Sequence, residues 1–253
     1  MQMEGIAAIV TGGGSGLGHA TAEMLAKNGA QVTIFDLNRE AGEEASSKLG
    51  VAYQAVDVTD DAGVASALKK AEAANGLARI LVNCAGVAPA IRIVDKTGAA
   101  HSLDAYRRTV EVNLIGTFNL ISKAASRIIA ANVDGEEAGV FINTASVAAY
   151  DGQIGQAAYA SSKAGVAGLT LPAARDLAQH RIRVMAIAPG IFLTPMMASF
   201  SHEIQESLGR QVPHPSRLGQ PSEYARLVQA VIANPMLNGE VIRLDGAIRM
   251  APR

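Results

Sequence analysis

IAAIVTGGGSGLGHATAEMLAKNGAQVTIFD, residues Ile6 to Asp36, decides the fold. It opens on an apolar run of strand length, Ile6 to Val10, and passes through the glycine loop TGGGSGLG, Thr11 to Gly18. An amphipathic stretch, His19 to Asn28, follows and is closed by Gly29, and a second apolar run spans Gln31 to Asp36. This order puts Gly12, Gly16 and Gly18 where backbone turns tightly and approaches a pyrophosphate at a helix amino terminus. Asp36 stands 18 positions beyond Gly18, close to the distance at which a carboxylate meets the ribose hydroxyls of a dinucleotide. A carboxylate there repels the extra phosphate of NADP and the loop carries no lysine or arginine, so NAD is the expected cofactor. Arg39 is the counter-indication, being near enough in sequence to reach a 2′-phosphate if Asp36 turned away.

The same alternation of strand-length apolar runs and helical stretches continues along the chain. Further strands are predicted over Ala52 to Val58, Ile80 to Ala85, Gly139 to Thr144, Arg183 to Ala188 and Glu240 to Leu244, and further helices over Arg39 to Lys48 and Ala62 to Ala74, closed by Gly50 and Gly76. Near-continuous apolar strands imply burial on both faces. The expectation is therefore a single α/β domain spanning 1–253, a Rossmann fold with a seven-stranded, doubly wound parallel sheet flanked by helices. Two segments break the rhythm: a polar insertion at about 87–103, and a loop at about 190–218 containing Pro195, Pro213 and Pro215. Long loops at the carboxyl ends of strands are where open α/β sheets bind ligands, and the second is expected to carry substrate specificity.

Composition narrows the function classes. A net charge of -1 with 49% hydrophobic residues lacks the basic excess of a nucleic-acid binder. The single cysteine, Cys84, allows no internal disulfide and suits a reducing compartment. The histidines show no paired ligand spacing, so no metal is expected. The start MQMEG runs straight into IAAIV without a charged leader, and no window approaches a membrane span. A cytoplasmic protein without membrane contact is expected.

The chemistry-bearing stretch is Tyr159-Ala-Ser-Ser-Lys163. Residues four apart share a helix face, so the phenol and the ammonium point the same way, and a nearby cation lowers a phenol's pKa by roughly 1 to 3 units. Ser146 lies 13 positions before Tyr159 at the end of a predicted strand, either lining the same crevice or capping a turn. Asp57, ending the third strand, either holds the adenine or caps the next helix. Cys84 reads as a small buried residue rather than a nucleophile, because no histidine accompanies it. Pro172 falls inside the helix that begins near Tyr159 and predicts a kink or an early helix end.

TGGGSGLG, Asp57-Val58, the stretch Asn83-Cys84-Ala85-Gly86, Asn113, Ser146, YASSK and Pro189-Gly190 occur in the order seen in the short-chain dehydrogenases/reductases, and the chain resembles that family over essentially its whole length. INTASVAAYDGQIGQAAYASSKAG, VPHPSRLGQPSEYA and NPMLNGEVIRLDGAIRM resemble its type II 3-hydroxyacyl-CoA dehydrogenase branch. The resemblance implies that Tyr159 is the acid/base, that Lys163 lowers its pKa and holds the nicotinamide ribose, that Ser146 binds the substrate oxygen, and that Asn113 positions a water linking Lys163 to solvent. It further implies that Ser15, Leu17, Val58, Asn83, Cys84, Ala85, Gly86, Pro189, Gly190, Phe192 and Thr194 line the cofactor site, that Gln153 meets substrate unless it is a solvated loop amide, and that Phe192 also walls an acyl chain. The expected reaction moves a hydride between NAD and short or branched 3-hydroxyacyl-CoA, with steroids or other secondary alcohols as the alternative substrates. Arg92, Lys96 and Arg210 are candidate phosphate contacts for CoA, or solvated surface charges. A sensor or structural subunit without turnover is the reading from another class, and the presence of all four catalytic residues gives no reason to prefer it. Family members are commonly homotetramers; the ending VIRLDGAIRM packs either on a neighbouring subunit or on its own core.

Overall fold

The first strand, β1 (Ala7–Thr11), is buried at every position, because it lies in the middle of a parallel sheet covered on both faces. The computed structural model describes residues 1–252. From β1 the chain runs through α1 (Gly16–Lys27), β2 (Gln31–Asp36), α2 (Arg39–Leu49) and β3 (Ala52–Ala55) to one edge of the sheet. It then crosses back through α3 (Asp61–Asn75) to β4 (Ala78–Asn83), beside β1. Next come α4 (Leu103–Val110), a π turn (Glu111–Ile115), α5 (Gly116–Ala131), β5 (Gly139–Thr144), a 3-10 turn (Val147–Ala149), α6 (Ala157–Ala178) and β6 (Ile182–Pro189). Three helices, α7 (Pro195–Ala198), α8 (His202–Arg210) and α9 (Pro221–Ala233), lead to the last strand, β7 (Val241–Leu244). The order is β3-β2-β1-β4-β5-β6-β7, all neighbours parallel, so the winding reverses between β1 and β4 and opens a crevice at their carboxyl ends.

Strand periodicity distributes the core. Ile9, Phe35, Leu81 and Phe141 face α3, α5 and α6, while their neighbours Val10, Ile34, Val82 and Ile142 face α1, α2 and α9. Side-chain caps set helix starts: Asn38 accepts from Ala41 N at α2, and Asp60 from Gly63 N at α3. Gly50 ends α2 with φ of 66°, a left-handed conformation that suits a residue without Cβ.

All seven expected strands form; the second and fifth have their expected bounds and the other five have shifted ends. The fourth stops at Asn83, because Cys84 and Ala85 turn their N–H groups onto Thr11 Oγ1, 3.1 Å each. The third stops at Ala55, before the turn in which Asp57 accepts from Thr59. The glycine loop itself supplies the first turn of α1, which begins at Gly16 rather than His19. Pro172 does not end its helix: α6 continues to Ala178. The 87–103 insertion is irregular, held by a bridge between Val94 and Ala100 and by Asp95, whose carboxylate accepts from Thr97 and Ala99. The ending folds onto its own chain: Ile248 is buried, Arg243 pairs with Asp151 and Asp245, and Ile154 N donates to Pro252 O. Among the described residues, no helix is long and apolar enough to cross a membrane, and no cluster of metal-ligating side chains occurs.

Candidate active site

The crevice at the carboxyl ends of β1, β2 and β4 encloses roughly 400 Å³. Gly12, Ser15, Gly16, Leu17 and Gly18 form one wall, and Cys84, Ala85 and Gly86 the opposite one. Asp36, Asp57 and Val58 close one end, and Thr194 reaches over from the 190–218 loop. The glycines are sterically required: a Cβ on Gly18 would lie 2.2 Å from Gly12 O, and one on Gly12, at φ of 65°, 2.8 Å from Ala85 N. Asp36 is turned toward the loop, its Oδ2 accepting from Gly14 N and its Oδ1 from Asn38 N, both at 2.9 Å. Arg39 is not among the residues that line the crevice.

Asp57 is not the helix cap, since Asp60 caps α3. Its Oδ1 accepts from Thr59 N at 2.9 Å and Thr59 Oγ1 at 2.7 Å, and its Oδ2 from Arg108 at 3.3 Å. Burial pushes this carboxyl up, but the Thr59 and Arg108 hydrogen bonds outweigh it and hold the pKa below the usual carboxylate value.

Tyr159 and Lys163 stand one turn apart on α6, the Lys163 ammonium 5.9 Å from the phenol ring centroid. Lys163 is 5% exposed and donates to Thr144 O at 2.6 Å. Burial lowers its pKa from 10.5 to about 8. The net shift of Tyr159 runs opposite to the one a neighbouring cation alone would give. Desolvation of the phenolate pushes Tyr159 above its ordinary 10, and only the neighbouring Ser146 hydroxyl opposes this. Ser146 is buried just beyond the end of β5 and caps the 3-10 turn, accepting from Ala148 N at 3.1 Å, which is the turn-capping one of its two sequence readings.

Asn113 sits in the π turn, a distortion frequent at functional sites. Its amide donates to Val87 O and Ser162 Oγ, both at 2.9 Å, and its Oδ1 accepts from Val87 N at 2.8 Å. It thereby ties the chain after β4 to α6. A Cβ on Gly86 would lie 3.0 Å from Asn113 Oδ1 and 3.6 Å from Lys163 Nζ, so glycine at this position lets the three meet.

Five expected cofactor or substrate contacts lie elsewhere. Asn83 points away, its Nδ2 donating to Asn143 Oδ1 at 2.9 Å in the buried β4–β5 pair. Pro189 and Gly190 pack on β7: Gly190 N donates to Leu244 O, and a Cβ there would meet Asp245 at 3.0 Å. Phe192 does not wall the crevice; its ring is buried against Gly219, where a Cβ would come within 2.8 Å of it. Gln153 lines a neighbouring depression with Arg92, Ile93 and Val94, and its Nε2 donates to Ala251 O at 2.9 Å. Arg210 pairs with Glu206 on α8. The Cys84 thiol is pushed up by burial and lies 3.5 Å from Thr144 Oγ1 and 3.8 Å from Tyr224 OH, a packed thiol rather than a nucleophile. Sequence reasoning missed Arg108, Leu37, Val87 and Pro195, which also line the crevice. Pro195 follows Thr194 and had a local signal; Arg108 had none.

The family model for short chain dehydrogenase matches residues 6–205. The chain is 51% identical to human 3-hydroxyacyl-CoA dehydrogenase type-2 across 99% of its own length and 97% of that protein. It is also 51% identical to the Drosophila melanogaster protein of the same name, across 96% and 97%. The crystal structure of 3-hydroxyacyl-CoA dehydrogenase type-2 from Mycobacterium avium superimposes with a TM-score of 0.95 at 41% identity, covering 100% of this chain and 99% of that one. The match of the family model, the full-length identity and the shared fold show that the chain belongs to the short-chain dehydrogenase family.

Proposed function

We propose that this enzyme transfers a hydride between NAD and the 3-hydroxyl/3-keto group of short or branched 3-hydroxyacyl-CoA. The observation that carries the reaction is the meeting of Ser146, Tyr159 and the buried Lys163 at the strand ends beside the glycine crevice. The full-length kinship to 3-hydroxyacyl-CoA dehydrogenases carries the substrate. The residues fit a dinucleotide, since Gly12, Ser15, Gly16 and Leu17 line the crevice at the amino terminus of α1, where backbone N–H groups suit a pyrophosphate. NAD, when bound, supplies the hydride acceptor.

The chain's own residues bind, orient and move the proton. Ser146 Oγ hydrogen-bonds the substrate oxygen, and Tyr159 Oη takes the hydroxyl proton during oxidation and returns it during reduction. Lys163 holds the ribose hydroxyls. Asn113 Oδ1, with one lone pair beyond that used by Val87 N, takes a water linking Lys163 to solvent. Asp36 accepts from the ribose and turns away a 2′-phosphate; its orientation toward the glycine loop supports NAD over NADP. We further read the protein as a cytoplasmic homotetramer. Its lone free thiol supports the compartment, and the exposed Ile115, Phe118 and Ile129 on and beside α5 support a contact between subunits.

The test is NADH oxidation against NADPH oxidation with acetoacetyl-CoA, on the wild type and on Asp36→Ala. Wild type should turn over NADH selectively, and the variant should raise the NADH KM about tenfold and narrow the preference, the loss of one charge-assisted hydrogen bond. Equal use of NADPH by the wild type would refute the assignment of Asp36. Activity on steroid ketones without acetoacetyl-CoA turnover would replace the substrate and leave the catalytic residues in place.

A further inference from the structure

We propose that Arg108 is a positioning residue for cofactor binding: it holds the Asp57 carboxylate at the angle from which that carboxylate accepts the adenine amino group. The proposal rests on the reading of Asp57 as the adenine contact.

Among the described residues that line the crevice Arg108 is the only cation, and the carboxylates there are Asp36 and Asp57. It stands in the last turn of α4, next to Arg107, yet the two arginines have different partners. Arg107 pairs with Asp104 one turn back on its own helix, at 3.3 Å. Arg108 reaches out of α4 to the loop after β3, its Nη2 3.3 Å from Asp57 Oδ2 and its Nη1 3.3 Å from Thr59 Oγ1. Thr59 meanwhile occupies Asp57 Oδ1 twice, through its N–H and its hydroxyl. The carboxylate is thus fixed from both sides, and Oδ2, with one contact against the two at Oδ1, keeps acceptor capacity at a residue that lines the crevice. A planar donor fork constrains orientation in a way that a point charge does not. Arg108 is half exposed, so solvent screens its charge and its effect is expected through geometry more than through bulk attraction.

The experiment compares NAD with nicotinamide hypoxanthine dinucleotide, which carries a carbonyl in place of the adenine amine, as cofactors for alcohol oxidation by wild type, Arg108→Gln, Arg108→Lys and Asp57→Asn. Wild type should favour NAD in KM by about tenfold, the scale of one hydrogen bond to a charged group. Arg108→Gln should raise the NAD KM about fivefold, with kcat nearly unchanged, and pull the ratio of the two KM values toward one. Arg108→Lys, which keeps the charge and loses the fork, should fall between the two. An Arg108→Gln variant that raises both KM values equally would overturn the positioning role and reduce Arg108 to a structural ion pair. An Asp57→Asn variant with the wild-type ratio would instead overturn the adenine reading on which the proposal rests. The two failures are therefore distinguishable.

Discussion

Replacing Lys163 with methionine is expected to stabilise the native chain at neutral pH while abolishing turnover. Lys163 is 5% exposed, and burial lowers its pKa from 10.5 to about 8. At pH 7 the side chain is charged in both native and unfolded chains, so the native state carries the full desolvation cost, ~3 kcal/mol for that difference in pKa. Above pH 10.5 it is neutral in both, and the cost disappears. Between those limits the unfolded chain holds a proton that the native lysine has released, so the unfolding free energy of wild type rises with pH. Methionine keeps the unbranched stem and has no such dependence. The stability advantage of Lys163→Met over wild type should therefore be largest at pH 7 and shrink by ~3 kcal/mol by about pH 10.5. Tyr224, pushed up by burial, is common to both chains and cancels in the difference, whereas Cys84 and Tyr159 are coupled to the Lys163 charge, so the pair is compared in a Cys84→Ala, Tyr159→Phe background. The lost hydrogen bond to Thr144 O shifts the difference without setting its slope. Urea unfolding followed by far-UV circular dichroism at several pH values measures it. A difference that stays flat from pH 7 to 10 would refute the argument that the ammonium is desolvated.

Tyr159→Phe should lower kcat by roughly 10³-fold, within the range for a lost general acid/base, while NADH titration by fluorescence shows binding retained. Near-normal turnover would remove Tyr159 as the base. In Gly18→Ala the new Cβ meets a backbone oxygen at 2.2 Å, and no flexible side chain can yield. Thermal and urea unfolding should show ~1–3 kcal/mol of destabilisation, and the NADH titration a loss of affinity; an unaltered titration would mean that the loop does not receive the pyrophosphate.

What the sequence made legible was what local rules determine. The strand, glycine turn and helix of residues 6–36 specify one another at short range, and so does the sharing of one helix face by Tyr159 and Lys163. What it hid depended on distant neighbours. Asn83 and Cys84 are adjacent in one motif, yet the pleat sends Asn83 to a buried pair with Asn143 and the turn onto Thr11 brings Cys84 to the crevice. Phe192 reads as a pocket wall until Gly219 arrives from 27 positions later to take its ring. Arg108 has no motif at all, because its partner Asp57 is 51 residues away and only the packing of α4 joins them.

The electrostatics of the catalytic pair illustrate the same division with energetic consequences. Spacing alone places a cation near a phenol and implies a lowered phenol pKa. Depth of burial, which spacing does not encode, reverses that sign for Tyr159 and lowers Lys163 as well. Both groups are therefore held in the form that is neutral, or close to losing its charge. A buried ammonium so near neutrality gains most from whatever negative or hydrogen-bonding group is brought beside it. An anionic Tyr159 is such a group: each charge raises the stability of the other, so proton loss from the phenol is coupled to proton retention by the lysine. The cost that Lys163 imposes on folding and the readiness of Tyr159 to exchange a proton are then two consequences of one act of burial, which is why Lys163→Met is expected to move stability and turnover in opposite directions.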